Sequence, residues 1–241
     1  MNPLTRPRTR GGADRGVARG GAPRGVARGA ATRGLDNRQR ALVHRIAGLV
    51  LDYPDEALIT RLPTLRTAVA GLPDPARSAL GGVLDHLEGA PLGQLAVTYV
   101  ESFDMRRRAC LYLTYYGHGD TRQRGVALLT FKQAYRTAGL ELTDDELPDH
   151  LCVLLEFSAT HDVDAGTRLL LDHRAGVEVL RLALLDAGSP YAGALVAVCS
   201  TLPPLIGDER DAVARLAAEG PPDESVGLEP YGMPGLAEAR P

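Results

Sequence analysis

The side chains with which this chain could do chemistry are six histidines, three cysteines and thirty carboxylates. Their spacing matters more than their number. Zinc needs His and Cys at ligand spacing. His150 and Cys152 stand two apart, which on a helix turns them in different directions, and His118, His161 and His173 have no close partner. Cys110, Cys152 and Cys199 are odd in number and roughly 40 residues apart. They form neither a C-x-x-C pair nor a disulfide framework, and they read as small buried hydrophobes in a reducing compartment. Gly119-Asp-Thr-Arg-Gln-Arg-Gly125 lacks the lysine and the preceding strand of a phosphate loop. No nucleophile elbow of the G-x-S-x-G kind occurs. The carboxylates Asp144, Asp145 and Glu146 fit the first turn of a helix, where acids complement the backbone dipole. The expectation is a protein that is not an enzyme and holds no metal.

One concentration of residues stands out. Tyr99, Tyr112, Tyr115 and Tyr116 share a short run with Arg106, Arg107 and Arg108, in a chain that is only 5% aromatic. Such a run fits a core helix held by ion pairs to Glu101 and Asp104 one turn away. It fits a binding surface equally well, because Tyr and Arg supply much of the energy at protein interfaces.

The elements that must position this run are helical. Asp36 caps a first helix with apolar Leu42, Ile46, Leu49 and Val50 at helical spacing, ended by Pro54. A second helix runs from Asp55 to about Ala70 with Pro63 interrupting or splitting it, and a third from Asp74-Pro75 to Leu87. Leu92 to about Tyr116 forms a fourth helical stretch, followed by a Gly117–Asp120 loop and a helix to Ala138 closed by Gly139. Thr143 or Asp144 starts a turn leading to a helix over Asp149–Thr160. One long helix over Asp164–Ala187 and two shorter ones over Pro190–Leu202 and Asp208–Ala218 complete the body. Nowhere does a period-two alternation suggest a sheet. The fold class is all-α, a single helical bundle.

Charge divides the chain further. Met1–Arg40 holds ten Arg against two Asp, a surplus of eight that leaves an excess of eleven negative charges on the remainder of a chain of net charge −3. Residues 1–34 are Arg- and Gly-rich, with Gly16-Val-Ala-Arg-Gly20 repeated at Gly25–Gly29. A segment with so little apolar surface is expected to be disordered. Residues 35–218 form the folded domain, and residues 219–241, rich in Pro, Gly and acids, form a second disordered tail. No apolar run approaches the roughly 18 residues of a membrane span. With no apolar stretch after the basic N-terminus, the expected location is the cytoplasm. The Arg/Gly tail leaves a second functional reading, a helical protein that binds RNA or nucleoprotein. It lacks the aromatic residues that stack on bases, none preceding Tyr53.

The run Tyr99-Val-Glu-Ser-Phe-Asp-Met-Arg-Arg-Arg, continuing through Leu111-Tyr-Leu-Thr-Tyr-Tyr116 to Gly119-Asp-Thr-Arg-Gln-Arg-Gly125, closely resembles the signature of the NarJ-type nitrate reductase molybdenum cofactor assembly chaperones, the nitrate reductase delta subunit family. Leu51-Asp-Tyr-Pro54 resembles that family's opening helix. Glu146-Leu-Pro-Asp-His-Leu151 and Leu154-Leu-Glu-Phe157 resemble its next block. The resemblance covers about Leu35 to Ala218. It implies an all-helical chaperone that binds the N-terminal region of the apo catalytic (alpha) subunit, with the alpha–beta complex and cofactor-delivery proteins as further partners. It implies no stably bound cofactor, but help with inserting bis-molybdopterin guanine dinucleotide into the client. It implies no nucleic acid and no membrane insertion. The wider group of redox-enzyme maturation chaperones carries Glu-Pro-x-Asp-His, which here reads Glu146-Leu147-Pro148-Asp149-His150 with Pro one place later.

The client peptide that the resemblance implies is an amphipathic helix with basic residues, which would enter a groove between helices. Tyr99, Phe103, Tyr112, Tyr115 and Tyr116 are expected in that groove or its supporting core. Asp104, Asp120, Glu146 and Asp149 are expected to supply complementary charge, with His150 beside them. Arg106, Arg107, Arg108, Arg122 and Arg124 are expected to tie neighbouring helices together through these acids.

Overall fold

The computed structural model describes residues 4–5, 35–119, 121–143 and 146–222. Among them are eleven α-helices: α1 (Asn37–Val50), α2 (Glu56–Ala70), α3 (Ala76–Gly89), α4 (Leu92–Phe103), α5 (Leu113–His118), α6 (Arg122–Thr137), α7 (Leu151–Thr160), α8 (Val163–Asp172), α9 (Arg174–Asp186), α10 (Ala192–Ser200) and α11 (Gly207–Glu219). The fold is all-α. Its one departure is a pair of two-residue strands, β1 (Leu4–Thr5) antiparallel to β2 (Glu141–Leu142). Leu4 and Thr5 belong to the stretch expected to be disordered; the rest of residues 1–34, and residues 223–241, lie outside the described residues.

The bundle is built around helices that are apolar on most of their circumference. In α7, Leu151, Val153, Leu154, Leu155, Phe157 and Ser158 are all buried, as a helix surrounded by others requires. α1 packs along it and α10 packs along α3. At the second contact the backbones touch: a Cβ on Gly193 of α10 would stand 2.3 Å from the carbonyl oxygen of Ala79 in α3. α1 begins with a reciprocal cap, the Asp36 carboxylate accepting from Gln39 N at 2.8 Å while Gln39 Oε1 accepts from Asp36 N.

The structure corrects three helix expectations. Pro63 does not split α2, which is continuous over Glu56–Ala70. Pro63 is exposed, so the amide it lacks leaves the Ile59 carbonyl without an intrahelical donor at a wet surface. The single stretch expected over 92–116 is three pieces: α4, a 3-10 turn over Arg107–Ala109, and α5. The cause is tertiary, because the backbone around Tyr112 bonds to residues near His150 instead of to its own helix. The long helix expected over 164–187 breaks at His173, whose φ of −109° and ψ of 23° are not helical.

Two buried polar sites hold the bundle in register. The His44 ring lies between Ser158 Oγ on α7, 2.7 Å from Nδ1, and Thr201 Oγ1 beyond α10, 2.9 Å from Nε2. In α9 the buried carboxylate of Glu178 takes Arg174 at 2.7 Å on one oxygen and Arg181 at 2.7 Å on the other. Removing one member of such a cluster leaves the others buried and unpaired.

Two predictions follow from this packing. Gly193→Ala must push α10 off the α3 backbone, so we expect a loss of roughly 1–3 kcal/mol, read by urea unfolding. Burial, with a smaller part from the Arg40 charge, depresses the His44 imidazole to about 4 from its usual 6.5. Below pH 6.5 the unfolded chain therefore takes up a proton that the folded chain refuses. The His44 contribution is complete above that pH and shrinks as the pH falls towards 4, by about 3 kcal/mol in all. His44→Gln should be less stable at pH 7 yet lose less on acidification. Equal pH slopes for the two proteins would contradict this.

Candidate functional site

The segments on either side of α6 are stapled to each other. Leu151 N donates to Leu111 O at 2.8 Å and Leu113 N to Asp149 O at 3.1 Å, with Tyr112 and His150 facing each other as an isolated antiparallel bridge. Asp149 locks the staple. Fully buried, its Oδ2 accepts from Thr114 N at 3.0 Å and Thr114 Oγ1 at 2.5 Å, in the first turn of α5. Arg124 reaches in from α6, 3.2 Å from Thr114 Oγ1 and 3.9 Å from the same Asp149 oxygen. Tyr135, also from α6, donates to Pro148 O at 2.6 Å.

This staple forms one wall of a cavity of about 510 Å³. Tyr112 and His150 stand on that wall with ring centroids 5.0 Å apart, and the Tyr112 hydroxyl donates to Glu146 Oε1 at 2.9 Å. Tyr115, Cys110 and Leu111 continue it. The opposite wall comes from the end of α4, with Tyr99, Phe103 and Asp104, and from Asp52 and Tyr53 after α1. Tyr99 donates to Leu51 O at 3.1 Å, which joins α4 to the end of α1. Its ring lies 5.3 Å from Tyr53 and 4.8 Å from Phe103, and both Tyr99 and Phe103 continue inward to Tyr191. Arg106 and Arg107 close the rim.

Burial dominates the electrostatics of the cavity wall. Burial, then the Glu146 hydrogen bond, raises the Tyr112 hydroxyl pKa, and burial raises that of Tyr99, so both rings are neutral donors at any physiological pH. Burial holds the His150 imidazole down, against the pull of Glu146, Asp52 and Asp149. The cavity thus offers five aromatic rings with three carboxylates, those of Asp52, Asp104 and Glu146, around them. Apolar and cationic groups suit such a surface, through area burial and attraction to ring faces. No group of three or more metal-binding side chains occurs among the described residues.

Of the residues singled out in the sequence, Tyr99, Phe103, Asp104, Tyr112, Tyr115, Glu146 and His150 meet at this cavity. Tyr116 and Asp149 lie behind it. The Tyr116 hydroxyl donates to the carbonyls of Arg108 and Cys110 at 2.9 Å, and its ring rests on Gly176 so closely that a Cβ there would be 2.8 Å away. Asp120 lies outside the described residues. The arginines separate by role. Arg124 joins α6 to the staple, Arg106 donates to the backbone carbonyl of Glu101 at 3.2 Å, and Arg108 and Arg122 are exposed. Asp52 and Tyr53 were missed as site residues, their segment having served to mark a helix end and to support the family resemblance. The available signal was an aromatic beside an acid just before a helix-ending proline, where the side chain leaves the core.

A second groove, of about 680 Å³, runs between α2 and the α3–α4 junction over Ile59, Leu62, Pro63, Leu87 and Pro91. It has no aromatic lining and holds none of the segments that carry the family resemblance.

The family model for the nitrate reductase delta subunit matches residues 69–197. The chain is similar to the nitrate reductase-like protein NarX of Mycobacterium tuberculosis, 41% identical over 160 residues, which are 66% of this chain and 24% of that protein. It thus spans about a quarter of that relative. It is 33% identical over 150 residues to the nitrate reductase molybdenum cofactor assembly chaperone NarJ of Escherichia coli, covering 61% of this chain and 64% of that protein. To the probable chaperone NarJ of Bacillus subtilis it is 27% identical over 169 residues, covering 70% of this chain and 92% of that one. With more than half its length matched by the family model, the cavity wall from Tyr99 to His150 included, this chain belongs to the nitrate reductase delta subunit family.

Proposed function

We propose that this protein is a maturation chaperone for a nitrate reductase. It binds the N-terminal region of the apo catalytic subunit and holds that subunit ready for insertion of bis-molybdopterin guanine dinucleotide, without itself catalysing a reaction or keeping the cofactor. The observation that carries this reading is the convergence of three separate segments, Asp52–Tyr53, Tyr99–Tyr115 and Glu146–His150, on one aromatic cavity rimmed by carboxylates. The names of the Escherichia coli and Bacillus subtilis relatives are those of assembly chaperones, not enzymes. No helix among the described residues is long and apolar enough to cross a membrane, in keeping with work on the cytoplasmic side before the client reaches its final site.

The cavity's chemistry specifies how the client is held. An apolar or aromatic side chain of a short client helix inserts among Tyr53, Tyr99 and Phe103, and a basic side chain one turn away meets Asp52, Asp104 or Glu146. The Asp149 staple sets the width of the opening, because it fixes Tyr112 and His150 relative to α5.

Calorimetric titration of the full chain with the N-terminal peptide of a nitrate reductase catalytic subunit tests this. Tyr53→Ala, which removes a half-exposed ring set edge-on to Tyr99, should weaken binding about tenfold, as a typical interface aromatic does. Asp104→Asn should weaken it several-fold at low salt and much less at high salt. Absence of binding by the full chain would refute the reading. So would binding that ignores both substitutions and vanishes when residues 1–34 are removed.

A further inference from the structure

The outward face of α6 combines exposed apolar and basic side chains. Phe131 and Tyr135 hold the helix from inside, while Val126 is 69% and Leu129 59% exposed on the other side. The sixteen residues of α6 include Arg122, Arg124, Lys132 and Arg136 and no acid. Only Arg124 turns inward, to Thr114 and Asp149. No ion pair among the described residues involves Arg122, Lys132 or Arg136. Two branched apolar side chains therefore lie in water among three like charges, on a chain that beyond Arg40 carries an excess of eleven negative charges. Such a face calls for an acidic, partly apolar cover.

We propose that residues 223–241 of the same chain are that cover. The described chain ends at Pro222, whose carbonyl oxygen sits 1.9 Å from where a Cβ on Gly119 would be. Gly119 has φ of +54° and lies three residues before α6 begins. The segment beyond Pro222 thus sets out from the N-terminal end of α6. It carries Asp223, Glu224, Glu229 and Glu238 against one Arg240, with Leu228, Tyr231, Met233 and Leu236 between them. Fully extended it reaches up to about 60 Å, whereas α6 is about 24 Å long. Sign, apolar content, starting point and reach all match the face. Tethering at that end gives an effective concentration of order millimolar, so weak contacts suffice. A second copy of the chain is a poorer occupant, since α6 against α6 sets like charges together.

The probe is a labelled synthetic peptide of residues 223–241, titrated into the full chain and into a chain ending at Pro222. We expect the shortened chain to bind it at least tenfold more tightly than the full chain. This binding should weaken with salt and be lost in Val126→Asp or Lys132→Glu. In the full chain, Glu224→Gln with Glu229→Gln should loosen the cover and raise peptide binding several-fold, a readout that does not depend on the shortened chain folding. Equal binding by the two lengths, or binding by neither, overturns the proposal. It is also overturned if the α6 variants bind as well as the parent and removal of residues 1–34 abolishes the interaction, or if the full chain is a dimer that Val126→Asp separates.

Discussion

The contact on which the site depends is the backbone staple between Leu111–Leu113 and Asp149–Leu151. Two main-chain hydrogen bonds join segments separated by an entire helix, and the Asp149 carboxylate ties both to α5 and to Arg124 of α6. Because Asp149 is fully buried, its Oδ2 must find donors inside the fold, and the Thr114 amide and hydroxyl supply them. The cost of leaving it unpaired keeps the staple shut. With the staple in place, the rings of Tyr112 and His150 must stand side by side, and the cavity has a wall.

The opposite wall depends on ordinary packing. Tyr99 is fixed by its bond to Leu51 O and by edge-to-face and tilted ring contacts in the sequence of Tyr53, Phe103 and Tyr191. Tyr53 is the exposed end of that sequence and Tyr191 its buried end. That wall is therefore a packed surface with one solvent-facing ring, Tyr53. A preformed surface of this kind spends little ordering entropy on its own side of a complex.

How much of this was legible in the sequence depends on whether each cause is local. Helix existence and the all-α class follow from caps and apolar spacing, both local, and α1 begins where Asp36 and Gln39 can cap it. The break between α4 and α5 was not legible, because nothing between Phe103 and Leu113 forbids a helix. The break arises from bonds to residues near His150. The break at His173 was missed for a similar reason, with α8 packing mainly on α7 and α9 on α10 and α11. Within the candidate site, the aromatic concentration marked a segment that lines the cavity, yet could not separate Tyr115, at the cavity, from Tyr116, whose hydroxyl is used up by Arg108 O and Cys110 O. Asp149 shows the same limit: an acid in a motif looks like a client contact until its burial is known. Asp52 and Tyr53 reach the cavity only because of the way α1 ends against α4.

In the proposed complex the client's N-terminal segment seats in the cavity between Tyr53 and Tyr112. Site-specific photo-crosslinking in the full chain tests it most directly, with a photoreactive residue in place of Tyr53 in one sample and of Ile59, in the larger aromatic-free groove, in another. An adduct with the catalytic-subunit peptide is expected from position 53 and none from position 59. An adduct from position 59 alone would contradict it.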